Sequence, residues 1–165
     1  MRRFGATAIA LATACGVAWA KEPTANSAAA FFEELLSTPG LADCTKPDDV
    51  GDYKGISRNC DLIVTADGRV EVSAKEAHGK VISLHAKGPV SYPASMDAID
   101  AVLFFHQATT EGREATDREN LAEARRMRMR LLRAVENKPY AALPFAGAEV
   151  QVSLHEGVIR VTVFR

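Results

Sequence analysis

Arg126, Arg130 and Arg133 recur at steps of four and three residues, the interval at which side chains share one face of a helix. A guanidinium offers a rigid fork of donors that matches carboxylates and phosphates. The chemistry this spacing suggests is therefore recognition, with the three arginines forming a docking patch for an acidic protein or another anionic envelope component. Glu119 and Glu123 fall on the same side. A plain solvated face with exposed ion pairs, each contributing about 0–1 kcal/mol, is the competing reading. Arg128 is placed differently: at about 100° per residue it falls inside the apolar arc of the helix, with Arg125 at its border. An arginine there must snorkel out or pair with a carboxylate, and Glu71 and Glu149 of the expected sheet are the candidate partners.

Residues able to do catalysis or bind metal are scattered. His78, His85, His106 and His155 fall on a turn, a strand, a helix and another turn, and no pair has metal-ligand spacing. The sequence contains no nucleophile elbow, glycine-rich phosphate loop or paired-carboxylate motif. Asp97 and Asp100 are expected in the first turns of a helix, where the helix dipole accounts for them. Ser95 is expected as that helix's cap. No catalytic residue, metal site or cofactor is assigned. A small secreted hydrolase is the alternative, and it would require His85 or His106 to meet a carboxylate in a cleft.

The N-terminus points to export. Arg2 and Arg3 precede an apolar run from Phe4 to Val17, and Ala18-Trp19-Ala20 has the small-x-small pattern of a cleavage site. Residues 1–20 are therefore read as a signal peptide, with the mature domain at 21–165 and a periplasmic or secreted location. Ala12-Thr13-Ala14-Cys15 offers a second route, a lipid anchor through Cys15 in a structural envelope lipoprotein. Cleavage after Ala20 leaves Cys44 and Cys60, which suggest a disulfide in an oxidising compartment. Closing a loop of that length would contribute about 3 kcal/mol. The stretch Thr45–Asn59, rich in Pro, Asp, Gly and Lys, is expected to be a loop tethered by that bond.

Three helices and about five strands must position these groups. Asn26 or Ser27 can cap a helix through Leu36, with Phe31, Phe32, Leu35 and Leu36 on its docking face. Strands are expected at 62–65, 69–73 and 80–86, with turns at Asp67-Gly68 and His78-Gly79. A nearly apolar helix, about 96–107, should lie buried between layers. The long helix 116–137 opens with a capping box, Thr116 with Glu119, and should pair antiparallel with it. Alternation at 150–154 and 159–163 around Glu156-Gly157 indicates a final hairpin. The order suggests an α+β fold, an antiparallel sheet of about five strands with helices packed on one face and one disulfide.

Composition agrees with a single domain. The chain has 165 residues, 47% of them hydrophobic and 25% charged. Setting aside Arg2 and Arg3, the remaining 18 Lys and Arg face 21 Asp and Glu, a net charge of −3. Nucleic-acid binding needs a dominant positive field, which such a domain lacks. No stretch after residue 20 reaches the roughly 20 apolar residues of a membrane span. The sequence reading is thus a small exported binding or inhibitory module directed at an envelope protein, a toxin or a hydrolase.

Overall fold

The first helix, α1 (Ala28–Ser37), is opened by Ser27, whose hydroxyl accepts the Ala30 N–H at 3.2 Å. A second cap comes from the sheet: Glu76 accepts the Ala28 N–H at 2.8 Å, placing a carboxylate at the positive end of the helix. The computed structural model describes residues 26–37, 48–52, 55–65, 68–110 and 115–165, with the backbone alone described at 37, 48–52, 55–65 and 68. The expected signal peptide and Cys15 lie outside the described residues. So does the Cys44 end of the expected disulfide, while Cys60 falls on a strand whose side chains are not described.

Four strands follow α1: β1 (Asp48–Asp52), β2 (Gly55–Thr65), β3 (Gly68–Ala77) and β4 (Lys80–Pro89). Then come α2 (Pro93–Ala108), α3 (Asp117–Val135), β5 (Tyr140–Phe145), β6 (Ala148–His155) and β7 (Val158–Phe164). The strands form an antiparallel sheet in the order β1-β2-β3-β4-β7-β6-β5. Five of them, β3, β4, β7, β6 and β5, make the sheet on which the helices pack, and β1 and β2 extend it at one edge.

Two elements depart from the sequence reading. The stretch 45–59, expected as a loop, supplies β1 and the first part of β2. Its Asp, Gly and Asn residues disfavour strands, but pairing along β3 overrides that weak preference. Tyr140–Phe145 is also a strand, at the opposite edge of the sheet. No strand is expected there from the sequence; its Pro144 has no N–H to donate, which an edge strand tolerates. Asp67 of the expected Asp67-Gly68 turn lies outside the described residues. Among the described residues, hairpins turn at His78-Gly79, Ala146-Gly147 and Glu156-Gly157, where both residues have positive φ, from 48° to 79°. This is the turn whose twist matches that of the flanking strands.

Alternation along each strand fixes two faces. Val70, Val72 and Ala74 of β3, Leu84 and Ala86 of β4, Ile159, Val161 and Val163 of β7, and Val150 and Val152 of β6 are buried on the inner face. α2 crosses β4 and β7 there, with α1 and α3 flanking it. Phe31 of α1 meets Phe105 of α2 edge to face at 5.1 Å, so α1 is a docking helix of the core. α2 itself buries Ala98, Ile99, Val102, Leu103 and Phe105, as expected of a helix lying between layers. At its entry Gly88 of β4 stands so close to Ser95 that any side chain on the strand would collide with the Ser95 hydroxyl.

Candidate functional site

The capping box of α3 forms as its sequence dictates: the Glu119 carboxylate accepts the Thr116 N–H at 2.8 Å, and the Thr116 hydroxyl accepts the Glu119 N–H at 3.3 Å. Asn120, Ala124, Met127, Leu131 and Val135 then line the buried side of the helix. That rotation turns Arg126, Arg130 and Arg133 to solvent together. Arg126 is bound to Glu123 at 2.6 Å, a helical pair that neutralises one of the three. Neither Arg130 nor Arg133 forms an ion pair among the described residues. Beside them Met129 is 46% exposed, one of few large apolar side chains so placed among the described residues. The surface therefore combines unneutralised guanidinium groups with a polarisable apolar side chain, a composition enriched where proteins meet.

Arg128 corrects the sequence reading. Its partner is Asp100 of α2, at 3.3 Å from Nε, and Arg125 approaches the other carboxylate oxygen at 3.7 Å. The Asp100–Arg128 approach is an ion pair without hydrogen-bond alignment. Glu71 and Glu149 are excluded by strand parity: both lie on the open face of the sheet, away from the helices. There Glu71 accepts from Lys87 and Glu149 accepts from Gln151. The role expected for Asp97 and Asp100 also changes. Because α2 begins at Pro93, with Tyr92 as its N-cap, neither acid sits in the first turn, and Asp100 instead bonds two helices together. Ser95 is not the cap; it is buried inside the helix with its hydroxyl unpartnered. Burial raises the Asp100 pKa above its ordinary value, against the opposing pull of Arg128 and Arg125.

The histidines separate into two environments. His106 is 3% exposed, and its Nε2–H donates to the Phe145 carbonyl at 3.1 Å. Its Nδ1 is buried with no partner. Burial lowers its pKa, only partly countered by the bond to Phe145. His85 stands on the open face, sharing a hydrogen bond of 3.0 Å with the Thr162 hydroxyl. Burial, with Arg160 next in effect, lowers its pKa too. Neither ring touches a carboxylate among the described residues. No cluster of three metal-ligating side chains occurs among them, and no helix among them is long and apolar enough to cross a membrane.

Comparison with family models, curated proteins and solved structures yields no match.

The open sheet face carries one feature that sequence reasoning missed. Lys87, Ser153, His155, Glu156, Val158 and Arg160 line a groove of about 380 Å³ beside the β6–β7 turn. Strand register was the only signal that could have found it, since these residues come from three strands and a turn. That register follows from the topology, not from local spacing.

Proposed function

We propose that the protein is a small exported binding or inhibitory module, acting in the periplasm, that docks an acidic envelope protein on the outer face of α3 through Arg126, Arg130 and Arg133. The observation that carries this reading is the pair Arg130 and Arg133, exposed and unneutralised among the described residues, with Met129 exposed beside them. Charge of this kind steers an acidic partner and fixes its register, while the apolar side chain supplies area to bury. The same residues serve no packing role, because the opposite side of α3 carries the core contacts.

The test is capture from an envelope extract by the tagged mature chain, set beside the Arg126→Ala, Arg130→Ala, Arg133→Ala triple variant. All three side chains are exposed, so the variant should keep the parent's circular dichroism and melting midpoint. A partner held by the parent and lost by the folded variant is the expected result. Equal capture by both would refute α3 as the docking face.

A further inference from the structure

We propose that the groove on the open face of the sheet is a second site, binding a small doubly charged oxyanion between Lys87 and Arg160. Register places Glu71, Lys87, Arg160, Ser153 and Tyr140 in one row across β3, β4, β7, β6 and β5. Lys87 and Arg160 thus stand directly opposite each other on neighbouring strands, an arrangement that costs the sheet stability because like charges oppose. The neutralisation is lopsided. Glu71 holds Lys87 at 3.3 Å from the far side, while Arg160 is exposed and forms no ion pair among the described residues.

The groove opens on this uncompensated charge. Ser153, opposite Arg160, brings a hydroxyl, and His155 brings a ring nitrogen that can donate. Val158 gives an apolar patch for a carbon skeleton, and Glu156, paired loosely with His155 at 3.8 Å, marks the turn end. A volume of about 380 Å³ lies within the range of small-ligand sites. Arginine's fork binds one oxyanion edge in two-point fashion, and Lys87 adds a point charge beside it. Phosphate groups and dicarboxylates share this chemistry. The site lies across the sheet from α3 and is independent of the docking reading.

Titration of the full chain with inorganic phosphate and, separately, with succinate would test the site. Nuclear magnetic resonance would follow Lys87, Ser153, His155, Val158 and Arg160. Saturable shifts confined to these residues are expected, and the arm that saturates at lower concentration identifies the source of the oxyanion. Occupancy should also raise the pH at which His85 titrates, since the bound anion offsets the charges of Arg160 and Lys87 beside it. Arg160→Gln should weaken binding by about tenfold or more, the loss expected for a charged hydrogen bond. Glu71→Gln, which frees Lys87, should tighten it. Shifts that grow linearly in both arms, or an Arg160→Gln chain that binds as tightly as the parent, would overturn the proposal. The triple arginine variant of α3 should bind the anion unchanged; weakened binding there would refute the independence of the two sites.

Discussion

Replacing Arg128 with methionine keeps much of the stem's bulk and removes the charge that faces Asp100. Asp100 is 7% exposed, so its carboxylate has few waters to replace the lost cation. Arg125 remains at 3.7 Å, but its side chain is 62% exposed, and solvent screens most of its pull. At an effective dielectric constant of about 20, a pair at the observed separation attracts by about 5 kcal/mol before desolvation is counted. Protonation sets a ceiling on the damage: neutralising a carboxyl with the ordinary pKa of 3.8 costs about 4 kcal/mol at neutral pH. The expected loss at neutral pH is therefore about 2–4 kcal/mol. Its pH dependence has a definite sign. Burial already raises Asp100 above 3.8 in the parent, so the native chain keeps a proton that the unfolded chain releases. Stability then falls as pH rises through the window between the ordinary and native values. Removing Arg128 raises the native value further and widens that window upward. Urea unfolding of the parent, Arg128→Met, and Arg128→Met with Asp100→Asn across acidic and neutral pH reads all of this. The single variant's deficit should shrink on acidification, and the double variant should recover most of it at neutral pH. A deficit independent of pH, with no recovery in the double variant, would show that the arginine stem packs the helices together and that its charge is idle.

Two further outcomes follow from buried groups. His106 and His85 both titrate below 6.5 in the native chain, so the unfolded chain takes up protons that the folded one refuses. Stability should fall as pH drops below 6.5, by at most about 1.4 kcal/mol per pH unit for each ring. His106→Gln, whose amide can still donate to Phe145, should flatten the curve of unfolding free energy against pH. At the entry to α2, Gly88→Ala would bring its Cβ against the Ser95 hydroxyl and to 3.1 Å from a Val70 methyl, costing about 1–3 kcal/mol. Ser95→Ala deletes a buried hydroxyl that has no partner, so its melting midpoint should hold or rise, and the Gly88→Ala loss should be smaller in that background.

Local signals were legible wherever the chain's own neighbours decide the outcome. Thr116 and Glu119 lie three residues apart and cap α3 within a single turn, so the box could be read directly. The same holds for α1 after Ser27 and for the turns at His78-Gly79 and Glu156-Gly157, where a glycine meets a required positive φ. The outward arc of Arg126, Arg130 and Arg133 follows from helical period alone. Tertiary structure decided the rest, because it rests on pairings between distant segments. β5 contains a proline and becomes a strand only because β6 lies beside it. Asp100 looks like a helix-start acid until packing sets it against Arg128, a helix away. Parity on the sheet sends Glu71 and Glu149 to the opposite face from that arginine, and a one-residue shift in register would have reversed the choice. Lys87 and Arg160, far apart in the chain, become neighbours because β7 returns to pair with β4, and that long-range return is what creates the groove.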